Sequence, residues 1–216
     1  AERPDLWERG ISSESVWPEY NLHGDVLNQW WRYLDEEIPD FQFVLYDRDE
    51  DEVVAEWHTG PLWWDGRDET LPGGIDEAIE QIFALVRANK PVNTLCALAA
   101  ETPREGRARG LAVQILEAMR AIAERQRLKH MVAPVRPSLK ERYPMTDIER
   151  YIRWRREDGQ LFDPWMRVHE RLGAVVLKPE PHSLRITGNI AEWQEWTGMQ
   201  FPETGDPHAP SPPGPP

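Results

Sequence analysis

Residues 92–137 constrain the fold more than any other part of the chain. VNTLCALAA (92–100) is an apolar run of strand length. After a charged loop, LAVQILEAMRAIAERQRLK (111–129) carries the period of an amphipathic helix. Val113, Ile115, Leu116, Met119, Ile122 and Ala123 fall on its inner side. HMVAPVRP (130–137) then reads as a second strand, which Pro137 stops. A strand, a helix and a strand in that order require a sheet with the helix laid on one face.

The flanking segments extend this unit. DVLNQWWRYLDEEI (25–38) spaces Val26, Trp30, Tyr33, Leu34 and Ile38 along one helical face, with Asp25 as its cap. FQFVLYDRDEDEVVAEWHTG (41–60) reads as two strands joined by an acidic turn, a hairpin. GGIDEAIEQIFALVRANKP (73–91) is an amphipathic helix closed by Asn89 and Pro91. Downstream, helices are expected over 146–156 and 162–173, the latter with Pro164 in its first turn and Gly173 at its end. AVVLKP (174–179) and SLRITGN (183–189) are expected as strands. The order predicts an α/β fold with a mixed sheet and helices on both faces. One domain is expected over 1–204, followed by a Pro-rich extended or disordered tail over 205–216.

Charge and composition narrow the function. A net charge of −13 is the wrong sign for a generic nucleic-acid or anionic-membrane binder, and it suits a cationic acceptor such as an amine. The one cysteine, Cys96, excludes internal disulfides and multi-cysteine metal sites, and a reducing cytoplasm fits it. AERPDLWERG does not read as a signal peptide, and no apolar run is long enough for a membrane span. The six histidines show no paired metal-ligand spacing, so no metal is expected. Neither a G-x-x-x-x-G-K-[ST] phosphate loop nor a G-x-S-x-G nucleophile motif is present.

The loop ETPREGRARG (101–110) leads into the helix that begins at Leu111. A helix N-terminus presents unpaired N–H groups and a partial positive charge, which together attract anions. Gly106 and Gly110 let the backbone approach a ligand, and Arg104, Arg107 and Arg109 add charge-assisted contacts. The alternative is a solvated turn, in which Glu101 and Glu105 neutralise the arginines. Cations at a helix start oppose its dipole, so this cluster is stable only with a counter-charge.

Arg107-Ala108-Arg109-Gly110-Leu111-Ala112, between a strand and a long helix, resembles the Arg/Gln-x-x-Gly-x-Gly/Ala signature of the GNAT acyltransferases. The likeness covers roughly 25–200 and is densest over 92–130. It implies a mostly antiparallel central sheet, with 138–161 as an insertion. It also implies a site for acetyl-CoA or another acyl-CoA, held by Arg104, Arg107, Ala108, Arg109, Gly110, Leu111 and Ala112. A backbone N–H at Ala99 or Ala100 would polarise the thioester carbonyl. Downstream, His169-Glu-Arg-Leu172-Gly173-Ala174 resembles the family's Tyr-x-x-Leu-Gly-Phe string. His169 stands where a tyrosine usually protonates the departing thiolate.

Amide formation also needs a base for the amine proton. Glu101, where strand meets loop, is the first candidate. Glu56 and His58 are two apart and share one strand face, so they are further candidates. Trp57, Trp63 and Trp64 are candidate walls of an acceptor site, and Asp65 is a candidate attractor of its amine. The expected reaction is acyl transfer to a primary amine of a small molecule. An acyl carrier protein or an aminoacyl-tRNA is the alternative donor, the latter through Arg104–Arg109 and Arg150–Arg156. A non-catalytic acyl-CoA or partner-binding domain is the remaining alternative. Oligomeric state is not legible.

Overall fold

The computed structural model describes residues 4–10, 17–102 and 110–202. The chain divides into two compact units. One comprises 1–16, 26–134 and 182–184, and the other 17–25, 135–181 and 185–216.

In the first unit, α1 (Pro4–Arg9) precedes two single-turn helices, α2 (Leu27–Trp30) and α3 (Tyr33–Glu37). The spacing predicted one helix here. Trp31 and Arg32 keep helical dihedrals, but the helical hydrogen-bond pattern breaks between the turns, where adjacent aromatics seat on different partners. Trp30 stacks on Phe83 at 5.2 Å, whereas Trp31 turns to His58 at 4.6 Å. Asp25 does not cap this segment. Its carboxylate accepts hydrogen bonds from Arg185 and Thr187 within the second unit.

The hairpin forms as expected, from β1 (Gln42–Asp47) and β2 (Glu52–Leu62). Next come α4 (Gly74–Arg87), β3 (Thr94–Glu101), α5 (Leu111–Arg125) and β4 (His130–Val132). The four strands lie in sequence order, antiparallel except for the parallel β3–β4 pair. Leu34, Leu62, Ile79, Ile82, Phe83, Cys96 and Leu98 form one core between the sheet and the α2–α4 helices. Because Cys96 belongs to it, alternation turns Leu95 to the opposite face, where α5 packs on the sheet and buries Ile115, Leu116, Met119 and Ile122. Val113, expected inside, is exposed. Gly60 permits the close approach of β2 to α4, since a Cβ there would lie 2.7 Å from Ile82.

The second unit contains α6 (Ile148–Tyr151), α7 (Pro164–Arg171) and α8 (Ile190–Thr197). The helix expected over 146–156 shrinks to one turn. Around it, Tyr143, Tyr151, Trp154 and Phe162 pack edge-on or tilted, 4.9–6.2 Å apart. Asp163 is buried at the α7 N-cap. It accepts hydrogen bonds from Trp165 and Met166 N–H, Leu139 N–H and the Tyr151 hydroxyl. The strands expected at 174–179 and 183–189 do not form: among the described residues neither stretch pairs with a strand, and Val175, Val176 and Leu177 are exposed. A β-branched run becomes a strand only where a sheet edge accepts it, and Pro179 and Pro181 remove two ladder donors. Asn189 and Glu192 form a reciprocal capping box at the start of α8.

Candidate active site

The two central strands place the sequence-derived candidates in pairs. Glu56 is directly opposite Glu101, Trp57 opposite Ala100, and His58 opposite Ala99. Directly opposed residues of an antiparallel pair point to the same face. Glu56, His58, Ala99 and Glu101 therefore share the face of α2–α4, and Trp57 with Ala100 takes the α5 face.

Immediately beyond His58 the register shifts. Thr59 pairs with Ala97, so Leu98 is the extra residue of a β-bulge in β3. The bulge re-aims the backbone between Ala97 and Ala99. On its other edge, β3 pairs with β4 only through Thr94–His130, Leu95–Met131 and Cys96–Val132. From Ala97 to Glu101 that edge has no strand beside it among the described residues. A bulge and a strand separation thus coincide next to Ala99 and Ala100.

Gly110 caps α5 with φ 72°, a left-handed conformation that glycine adopts without strain, and Leu111 and Ala112 form the first turn. Among the described residues, Leu45, Tyr46, Asp47, Arg48, Val54, Leu111 and Gln114 line a cavity of about 360 Å³ at that turn. Arg104, Arg107, Ala108 and Arg109 lie outside the described residues, as does the 205–216 tail.

His58 is 6% exposed, between Trp7 (edge-on, 5.4 Å) and Trp31. Its Nδ1 is 3.2 Å from Gln42 Oε1, while Gln42 Nε2 donates to the Ile38 and Thr59 carbonyls. Gln42 is thereby oriented with its oxygen toward the ring, so Nδ1 carries the proton and donates. Burial lowers the His58 pKa to about 4. At neutral pH it is an uncharged core imidazole with little power as a base. Glu56 and Glu101 are half-buried, and both make polar or electrostatic contacts.

The tryptophans separate. Trp57 is 3% exposed, stacks on Phe43 at 5.9 Å, and its indole N–H is buried without a partner among the described residues. Trp64 is a core residue: its indole donates to the Arg67 carbonyl, and its backbone exchanges two hydrogen bonds with the Asn93 side chain. Trp63 alone is open to solvent, 48% exposed. Asp65 is already committed. Arg67 contacts it through backbone and guanidinium, Thr70 adds a hydroxyl, and these contacts lower its pKa to about 2. It is a poor attractor for a substrate amine.

In the second unit, His169 Nδ1 lies 2.9 Å from the Trp165 carbonyl and must donate to it. The neutral ring then offers Nε2 as an acceptor. Burial lowers its pKa and the Trp165 bond only partly offsets this, so a proton-donating Nε2 is disfavoured. This geometry runs against the acid role that the tyrosine-equivalent position implies.

Sequence reasoning missed Trp7, Trp31 and Gln42 around His58, because their meeting depends on where α1 and α2 dock. It also missed the bulge, which leaves no composition signal. Among the described residues, no group of three His, Cys, Asp or Glu is placed to hold a metal ion, and no helix is long and apolar enough to cross a membrane.

Comparison with known proteins adds two likenesses. The chain is 31% identical over 222 residues to the arginine N-acetyltransferase avaD of Aspergillus versicolor, spanning 93% of this chain and 75% of that protein. Its fold is similar to the loading GNATL domain of CurA from Lyngbya majuscula, with a TM-score of 0.54 and 22% identity, covering 71% of this chain and 73% of that one. No protein-family model matches.

Proposed function

Because the chain belongs to the GNAT superfamily of N-acyltransferases, we propose that it carries an acyl group from acyl-CoA to a primary amine of arginine or an arginine-like small molecule. The arginine-type acceptor follows the activity of the relative from Aspergillus versicolor and suits the strongly acidic chain.

The observation that carries the reading is the end of β3, where the Leu98 bulge coincides with the loss of β4 as a neighbour after Cys96. An open strand edge next to a bulge supplies a slot for an extended thioester arm and a backbone N–H for its carbonyl. Ala99 and Ala100 are the donors of this proposal. Gly110, Leu111 and Ala112, with the arginines of the preceding loop, would hold the donor's phosphates at the start of α5. Trp63 is the acceptor-wall candidate that remains exposed.

Glu101 takes the amine proton. The amine nitrogen attacks the thioester carbon, the C–N bond forms, the C–S bond breaks, and sulfur leaves as thiolate. A thiol is acidic enough, with a pKa of about 8.5 for a free cysteine, to depart with modest help. The reading therefore assigns no proton donation to His169.

The test is thiol release from acetyl-CoA with arginine, alongside calorimetric binding of CoA. Glu101→Gln is expected to lower kcat about 100-fold or more, as loss of a general base does, with CoA affinity kept within threefold. A Glu101→Gln enzyme that turns over at the wild-type rate would remove Glu101 from the reaction.

A further inference from the structure

We infer that the indole N–H of Trp57 binds the acyl donor's arm, donating a hydrogen bond to one of its amide carbonyls. This rests on the reading of the β3 edge as the donor slot, and adds to that slot a side chain from β2. The observation behind it is an orphaned donor. Trp57 is 3% exposed, and its Nε1 is sealed from solvent with no hydrogen-bond partner among the described residues. An indole N–H can only donate, and left unpaired in the interior it forfeits the hydrogen bond it makes to water.

The packing on that face offers no acceptor. From β1 the register partner is Phe43, whose ring stacks on the indole at 5.9 Å. The preceding residue of the face on β2 is Ala55, and the partner on β3 is Ala100. Every side chain that α5 buries is apolar. A phenylalanine would suit these surroundings without an unpaired N–H, so the indole needs a reason beyond packing.

Ala100 connects the indole with the slot. It is the register partner of Trp57, and it belongs to the stretch of β3 that has no strand beside it among the described residues. Neighbouring strands are about 4.8 Å apart, so an extended arm beside β3 runs roughly 10 Å from the β2 backbone. An indole is long enough to cover the methyl of Ala100 between them, and a hydrogen bond of about 2.9 Å closes the remaining gap. Entry of the arm parts the apolar cover of the N–H, and the carbonyl supplies the acceptor that the fold omits. That bond fixes the arm's register along β3, and with it where the thioester stands relative to Ala99 and Ala100. Glu56, His58 and Glu101 take the opposite face, so β2 meets the donor on one side and the proton-transfer candidates on the other.

The test is proton–nitrogen NMR of the full chain, in which each indole N–H gives its own signal and through-bond correlations assign that of Trp57. Saturating CoA should move the Trp57 signal downfield. The nucleotide half of CoA, 3′-phospho-ADP, has the phosphates without the arm and should leave the signal in place. By calorimetry, Trp57→Phe should bind CoA about three- to tenfold more weakly, as loss of one neutral hydrogen bond does, with 3′-phospho-ADP affinity retained. A Trp57 signal that stays in place at saturating CoA, or that 3′-phospho-ADP moves as far, overturns the inference. CoA that binds without moving this signal leaves the acyltransferase reading standing. CoA that gives no heat and moves no signal removes both.

Discussion

At the scale of single residues, the imidazole of His58 ties stability to pH. Its pKa falls from an ordinary 6.5 to about 4 on burial. Between those values the unfolded chain binds a proton that the folded chain refuses. Stability is therefore intact above pH 6.5 and declines as pH falls toward 4. The linked loss across that window is about 3 kcal/mol. Urea denaturation at pH 7 and pH 4.5 should show a decline in the wild type that is smaller in His58→Gln; equal declines would mean that His58 is not the group responsible. The same residue shows what a sequence leaves open. The two-residue spacing placed Glu56 and His58 on one face, as the strand register has it. Neither Trp7, Trp31 nor Gln42 is near His58 in sequence, so a ring that reads as a candidate base is enclosed by residues no local pattern predicts.

At the scale of elements, Asp163 organises the segment before α7. Five donors converge on one buried carboxylate: three backbone N–H groups and the Ser138 and Tyr151 hydroxyls. Asp163→Ala leaves all of them unpaired and is expected to cost about 3–5 kcal/mol. Asp163→Asn, which keeps an accepting cap, should cost distinctly less. Chemical denaturation followed by tryptophan fluorescence measures both, and equal costs would contradict the cap argument. Proline after the cap made the start of α7 legible, whereas α8 was not: Asn189, which caps it, was expected at the end of a strand. The strand–helix–strand unit over 92–137 was legible as well, since periods of two and 3.6 succeed one another there. The stretches 174–179 and 183–189 were not. Strand formation is decided by an available edge, and β-branched content says nothing of the edge. The bulge at Leu98 was equally hidden, because it is a mismatch between two strands rather than a property of either.

At the scale of the whole molecule, the acidic balance and the arginine-rich loop pull in opposite directions. A net charge of −13 repels a polyanionic donor at long range. In the proposed reading, the α5 N-terminus and the arginines that precede it in sequence would attract the donor's phosphates at short range. The same charge favours a cationic acceptor at any range. Membership of an acyltransferase family and a β3 edge that has no strand beside it after Cys96 among the described residues are consistent with the proposed transfer to an amine. The most direct measurement is mass spectrometry of the products after incubating the protein with acetyl-CoA and arginine. The expected product is arginine carrying one acetyl group, with one free CoA thiol released for each. Failure to acylate arginine or any other amine offered, by protein that binds CoA, would contradict it.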